Sequence, residues 1–384
     1  MASDLIIEVC TIDAILPHTN SDNLEIAQIK GWRVIVKKGE NKVGDRVIYF
    51  PPETMLPEYT SRSLGIYKYL KGSDVSNKRI GQIKLRGEAS LGLIIPIDPT
   101  WEEKQVWEIG KDVLDFFGAQ KYQPPVLATN NVKHGITCKQ NPLFIKYTDI
   151  QNLRHFPKAF TDGEEVIVTE KIHGQNLRFG MINGEWVAGS HNFQKGRPER
   201  EKISLWKKVK NYFDLNHRDE IDEIHPEMHD PFWYPYVVNP IHEMINDLSK
   251  NHKIVILFGE SYGTIQKGYG YDCPKGQRAR LRAFDLYIDG KYLNFDDFKN
   301  TCDAYSVLTV PVLARIPYTL DAIKALSEGD TTLGASHIRE GVVVKPVIER
   351  QSNEIKNKGR LILKYVSDSY LCSKGHEEGD TTDV

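Results

Sequence analysis

The sequence predicts an α+β protein of two domains, a small closed β-barrel followed by a larger domain of antiparallel sheets with helices. Three observations predict it. Short β-rich segments separated by Gly and Pro fill the first hundred residues. A polar connector with little apolar periodicity follows. Beyond it, longer apolar strands end in lysine or glutamate. At 384 residues the chain can bury more than one core.

In the first domain, Leu5 to Leu16 is β-rich, and Leu24 to Ile29 follows a turn-prone run from His18 to Asn23. Trp32 to Val36 alternates with period two, Arg46 to Phe50 stops at Pro51-Pro52, and Arg79 to Leu85 and Leu91 to Ile95 add two more strands. Five or so strands in about a hundred residues is the size of an OB-like barrel, whose open face often binds nucleic acid. Trp32, Arg33, Lys37, Lys38, Tyr49 and Lys84 are candidates for such a face. The competing reading puts Trp32 and Tyr49 in the barrel core and makes the lysines protectors of an edge strand. Thr100 to Phe117 has helix-like apolar spacing, with Gly118 as its stop. The expected division is 1–118 for the barrel, 119–147 for the linker, 148–372 for the second domain and 373–384 for a disordered polar tail.

Composition excludes several classes. Fifty Lys and Arg against 52 Asp and Glu leave a net charge of −2, so any nucleic-acid surface must be local. The cysteines Cys10, Cys138, Cys273, Cys302 and Cys372 are far apart, which argues against a zinc ribbon or a disulfide framework and for a reducing compartment. His134 and Cys138 have the spacing of half a metal site, with no second half in view. No signal peptide and no apolar run of about 18 residues is evident. The expectation is a cytoplasmic protein, not membrane-bound and monomeric.

The second domain opens with the β-branched run Glu164 to Thr169, then Glu170-Lys171-Ile172-His173-Gly174-Gln175-Asn176. A strand ending in lysine, with glycine three residues on, turns sharply and leaves the amine at a sheet edge. Such an amine is a nucleophile only when neutral. At an ordinary pKa of about 10.4, roughly one in 2,500 is neutral at pH 7. Bringing that pKa to about 7 takes about 4.6 kcal/mol of desolvation and nearby positive charge. A meander through Leu177 to Gly180 and Trp186 to His191 follows. Lys195 to Lys210 is a basic segment expected to be helical from Glu199, able to track phosphates through residues such as Lys207 and Lys208, or to be a solvated face. Three further apolar strands end in Glu260, carry Phe284 and Asp285, or start at Glu340 and run to Lys345. A fourth carries Lys364. Two acids and two lysines at the ends of apolar strands in one sheet predict a polar site over an apolar floor.

The ordered segments Glu-Lys-x-His-Gly-x-Asn, Phe-Gly-Glu, Ala-Phe-Asp, Glu-Gly-Val-Val-Val-Lys and Leu-Lys-Tyr resemble the covalent nucleotidyltransferase superfamily. His at the fourth place of the first motif looks like ATP-dependent RNA ligases, and a barrel preceding the ligase domain resembles the RNA ligase 5 type. Asp22 to Ala27, Lys37-Lys38-Gly39-Glu40 and Lys42-Val43-Gly44-Asp45 are similar to segments of that first domain. The resemblance spans about residues 5 to 372.

The resemblance implies that Lys171 attacks the α-phosphorus of ATP, passes AMP to an RNA 5′-phosphate, and that a 3′-OH then displaces it. It implies catalytic roles for Lys171, Lys364 and Glu340. It places nucleotide contacts at Glu170, Lys171, Asn176, Arg178, Glu260, Phe284, Lys345 and Lys364. Metal contacts fall at Glu340 and Glu260, with Mg²⁺ as cofactor and Mn²⁺ as a substitute. Asn176 and Arg178 would also help to place the acceptor end; the role of His173 stays open. RNA, perhaps a nicked duplex, is the implied partner. One departure stands out: relatives often carry a second lysine two residues from the last motif's first, where this chain has Ile362 and Val366. Gln266-Lys267-Gly268-Tyr269 is a further candidate for triphosphate or RNA contact. Two other functions are compatible in kind, a GTP-using capping guanylyltransferase and an inactive nucleic-acid binding module.

Overall fold

The computed structural model describes residues 3–102, 105–123, 138–198, 226–263, 271–273, 280–355 and 358–373. The candidates Lys207, Lys208 and 266–269, the expected helix from Glu199, His134 and most of the tail lie outside them.

The N-terminal strands are short because each is cut by a turn after four to six residues. They are β1 (Glu8–Thr11), β2 (Ala14–Pro17), β3 (Leu24–Ile29), β4 (Trp32–Lys37), β5 (Arg46–Phe50), β6 (Thr54–Met55), β7 (Gln82–Leu85), β8 (Glu88–Leu91), β9 (Leu93–Pro96) and β10 (Gln120–Lys121). They pair antiparallel as β1-β5-β9, β2-β3-β4, β7-β8 and β10-β6. The Ile35 N–H donates to Ser90 Oγ at 3.0 Å, joining β4 to β8. Period-two alternation sends Trp32 and Val34 inward with Val47, Tyr49 and Leu91. The helix expected over 100–117 is instead two four-residue turns, Pro99–Glu102 and Leu114–Phe117. Their apolar residues pack as a cluster of rings, Trp101, Trp107, Phe116 and Phe117. Ring packing, not a helical stripe, explains the spacing. Gly118 does end the second turn, at φ 60°.

The second domain is two sheets. One has the order β11-β21-β20-β12-β19, the other β15-β14-β13-β16-β17-β18. The strands are β11 (Gln151–Asn152), β12 (Glu165–Glu170), β13 (Gln175–Ile182), β14 (Glu185–Gly189), β15 (Gln194–Lys195), β16 (Ile254–Tyr262), β17 (Arg280–Ile288), β18 (Lys291–Tyr292), β19 (Val312–Pro317), β20 (Gly341–Pro346) and β21 (Leu363–Val366). All pairs in these sheets are antiparallel except β11 with β21. Strand β12 is Val-Ile-Val because both its faces are buried. Val166 and Val168 pack with Tyr318, Ile323 and Leu363, whereas Ile167 faces Leu177, Phe179 and Phe298. Helices Asn239–Leu248 and Phe295–Ala304 supply apolar residues to the core of the second sheet, and Leu320–Ser327 backs the first.

The two domains are joined closely. Buried Arg154 donates to Gly31 O at 3.1 Å and Val366 O at 2.8 Å, and pairs with Asp368 at 2.6 Å. Its guanidinium lies 3.8 Å over the Tyr365 ring. A Cβ on Gly31 would sit 2.6 Å from Arg154 Cα, so only glycine allows this approach. The helix Asp368–Leu371 places Tyr370 and Leu371 in the core of the N-terminal domain.

Candidate active site

The site lies between the two sheets. Strand β12 ends at Glu170, and the Lys171 N–H continues the ladder to Gly341 O at 3.0 Å. That brings the end of β12 beside the start of β20, so residues far apart in sequence meet. Lys171 Nζ lies 2.6 Å from Glu340 Oε1, with the two side chains 26% and 10% exposed. Across the cleft, Asn176 on β13 pairs in register with Glu260 on β16. Gly174 makes this possible: a Cβ there would meet Ser261 O at 2.4 Å and Glu260 Cγ at 2.9 Å.

Beside these groups is a pocket, partly open to solvent and lined by Tyr147, Ile150, Ile172, Phe284, Val310, Val343 and Ile362 among others. Its floor is apolar and its rim carries Lys171, Glu260 and Lys345. That is the pattern of a small-molecule site with one flat apolar moiety and one charged end.

The carboxylates differ sharply. Burial pushes Glu340 up, but the charges of Lys171 and then His173 outweigh it and hold the group down at about 2. Glu340 Oε2 has no hydrogen-bond partner among the described residues; His173 Nδ1 is 3.5 Å away, an ionic contact only when the ring is protonated. Burial lifts Glu260 to about 7, with Lys171 as the chief opposing influence. The Asn176 side chain is 7% exposed, and both its polar atoms are buried without a partner among the described residues. An unpaired buried amide is costly unless a ligand completes it. His173 is held by its own N–H to Tyr271 Oη at 2.7 Å, and Tyr370 Oη lies 3.3 Å from its Nδ1.

Glu170, Phe284 and Lys345 line the pocket, each with protein partners of its own. Glu170 borders the pocket, but its carboxylate accepts from Thr331 Oγ1, from Thr332 N at 2.9 Å and from Thr332 Oγ1 at 2.6 Å. It anchors that turn. Arg178 is fully buried and donates to Ser190 O at 2.6 Å, Phe144 O at 2.9 Å and Ile145 O at 2.8 Å. Its Nε and Nη1 donate to these three carbonyls, which ties residues 144–145 to the sheet. Lys345 lines the pocket, yet its Nζ is 2.8 Å from Asp285 Oδ1 and 3.3 Å from Phe284 O. Lys364 is buried on β21 opposite the pocket residue Val343. Phe284 lines the pocket with its ring 4.8 Å from that of Tyr147.

On the barrel, Trp32 and Tyr49 are 4% and 0% exposed, with ring centroids 5.3 Å apart, so they form core and offer no stacking face. Arg33 pairs with Glu88 and approaches Asp368 at 3.9 Å. Lys38 and Lys84 are exposed, as is Lys37, which is 2.8 Å from Glu40. Tyr147 is one pocket residue the sequence reading missed, because its connector has no periodicity to mark it. Among the described residues no three His, Cys, Asp or Glu cluster to hold a metal. A metal here would need oxygen ligands from the substrate besides Glu340 and Glu260.

A strand-end lysine against a carboxylate, beside an apolar pocket between two sheets and behind an OB-like barrel, is the arrangement expected of the nucleotidyltransferase class. Within that class, residues 164–366 match the RNA ligase family model, and the chain belongs to the RNA ligase family. Residues 6–97 match an OB-fold domain model. No curated protein matches the sequence. Among solved structures, a Naegleria gruberi RNA ligase mutant with ATP and Mn superposes with TM-score 0.70 at 22% identity, covering 96% of this chain and 98% of that one. A mutant with AMP and Mn gives 0.71 at 23%, covering 98% and 100%. The same ligase with PPi gives 0.68 at 23%, covering 96% and 98%. At such identities the likeness is one of fold. No helix among the described residues is long and apolar enough to cross a membrane.

Proposed function

We propose that this protein is an ATP-dependent RNA ligase that seals 3′-OH and 5′-phosphate ends, at nicks in an RNA-containing duplex, through a lysyl-AMP intermediate. The observation that carries the reading is Lys171 Nζ held 2.6 Å from Glu340 at the mouth of the apolar pocket. The Naegleria structures with ATP and Mn or AMP and Mn share the fold and support the choice of nucleotide.

The adenine ring fits the apolar floor beside Phe284, and the phosphates lie toward Lys171. The neutral Lys171 nitrogen forms a bond to the α-phosphorus as the bond to pyrophosphate breaks, and it gives up one proton and keeps the other in the N–P linkage. In a second step an RNA 5′-phosphate oxygen takes the AMP and Lys171 leaves as the amine. A 3′-OH then attacks the activated 5′-phosphate and AMP departs. Glu340 governs the first proton. While it pairs with Lys171 the ammonium form is favoured; cationic charge against Oε2 weakens that attraction and favours the neutral nucleophile. A divalent ion held by Glu340 and Glu260 would supply this charge and help to neutralise the phosphates. Asn176 completes its amide on the ribose or phosphate oxygens. Lys364 stands ready to neutralise the α-phosphate from β21.

Incubation with α-labelled ATP and Mg²⁺ should leave label on the protein, lost in Lys171→Ala. Absence of label on the unmutated protein would end the reading, and label from GTP in place of ATP would turn it to a capping guanylyltransferase.

A further inference from the structure

Between β6 and β7 the N-terminal domain makes an excursion from Glu58 to Arg79. Its inner side is firmly anchored. Ser61 is fully buried, Ile66 and Ile80 join the barrel's second core, and Lys71 and Arg79 exchange backbone hydrogen bonds of 2.8 and 2.9 Å. Arg79 Nε lies 2.7 Å from Glu53, with both side chains buried, and the guanidinium sits 3.8 Å over the Tyr122 ring.

The outer side is the reverse. Tyr59 is 84% exposed and Tyr69 74%. Arg62 and Lys78 lie 4.0 and 4.9 Å from the centre of the Tyr67 ring, and Lys68 lies 4.8 Å from that of Tyr69. Within the excursion the cations Arg62, Lys68, Lys71 and Lys78 outnumber the carboxylates Glu58 and Asp74. Glu58 is engaged by Arg62 at 2.7 Å, and Asp74 is held in a capping box with Asn77. A rigid base thus displays large rings interleaved with lysines, in a protein of net charge −2.

This pattern selects its partner. Protein interfaces enrich tyrosine but deplete lysine. Strands of nucleic acid use both, since bases stack on rings while phosphates pair with cations, and the stacking tolerates any sequence. Exposed cation–π contacts are weak, so the lysines can swing from ring to phosphate without large loss. With Trp32 and Tyr49 buried in the core, the barrel's aromatic surface is here.

We propose that the 58–79 excursion is the barrel's RNA-binding platform, with Tyr59 and Tyr69 as stacking surfaces and Lys68, Lys71 and Lys78 as phosphate contacts for the strand flanking the break. The inference rests on the reading of the chain as a ligase acting on RNA ends. Two double variants test it in the full-length protein, Tyr59→Ala with Tyr69→Ala, and Lys68→Glu with Lys71→Glu. Each is scored for labelling by α-labelled ATP and for binding of a fluorescent nicked RNA duplex by anisotropy over a salt series. Labelling should equal that of the parent, and this equality also shows that the variants fold. RNA binding should weaken at least tenfold in both. The salt dependence should flatten only in the lysine pair. Unchanged RNA binding in both variants would overturn the platform. Failure of the parent to take label would sink the ligase reading, while the binding arm would still decide the platform.

Discussion

Two carboxylates pair with lysines that line the same pocket, and they are built to opposite ends. Asp285 is fully covered, and every oxygen is answered: Oδ1 by Lys345 Nζ at 2.8 Å, Oδ2 by Arg360 at 2.8 Å and by the Tyr147 hydroxyl. Burial works against its charge, but Arg360 and then Lys345 hold it below the usual carboxylate range. Glu340 also faces a lysine and a second basic residue. There, however, Lys171 is a quarter exposed, and among the described residues one Glu340 oxygen and the Asn176 amide have no hydrogen-bond partner, with Glu260 raised to about 7 by burial in the same cleft. The same charges make a structural clamp in one place and a reactive centre in the other. What separates them is whether the polar groups are completed by the protein or left for a ligand.

The sharpest way to break this contrast is to remove each acid. Asp285→Ala strands a buried Lys345 and Arg360 and should lower the unfolding free energy by about 3–5 kcal/mol, read from urea melts. Glu340→Ala should stay folded yet lose transfer of label from ATP. Equal destabilisation by the two, with labelling retained in the second, would erase the distinction.

The pH profile gives a second test of nearly the same size. Glu340, at about 2 when folded against an ordinary 4.5, contributes stability that is full above pH 4.5 and lost as pH falls toward 2. Glu260, raised to about 7, behaves the other way: its contribution is full below pH 4.5 and lost as pH climbs through 7. Glu260→Gln should therefore gain up to about 3 kcal/mol at pH 8 over the parent, each tenfold change in proton affinity being about 1.4 kcal/mol. Labelling of the parent should rise as Glu260 ionises near pH 7, and this rise should be absent from the variant. A pH-independent difference between the two proteins would contradict the assignment. The smallest effect is expected from Tyr147→Phe, which takes one hydrogen bond from an ionised acid. About 2 kcal/mol should be lost with labelling intact, by parallel melts and label assays.

Much of the site is legible in the sequence, for a physical reason. Strand ends are marked by glycine and by abrupt polar residues after apolar runs, so Lys171, Glu260 and Glu340 stand out, and the fold brings them to one cleft. The fate of individual side chains is not legible in the same way. Glu170 and Arg178 have the right types and positions, but their partners are Thr331 and Thr332 for one and backbone carbonyls for the other. Such contacts come from distant loops with no pattern of their own. Alternation shows that Trp32 and Arg33 lie on opposite faces of β4, but not which face looks inward. The clamp around Asp285 is hidden too, because its two cations arrive from β20 and from Arg360, 75 residues further along the chain.

The short helix at Asp368–Leu371 carries a longer-range meaning. Its Tyr370 and Leu371 fill the barrel's interior while the Tyr370 hydroxyl reaches His173 beside Glu340. Domains strung on a loose tether can be gained, lost or shuffled by recombination without harm to either. Here Tyr370 serves both the barrel's interior and the contact with His173, so removing the front module would uncover that ring and loosen the contact.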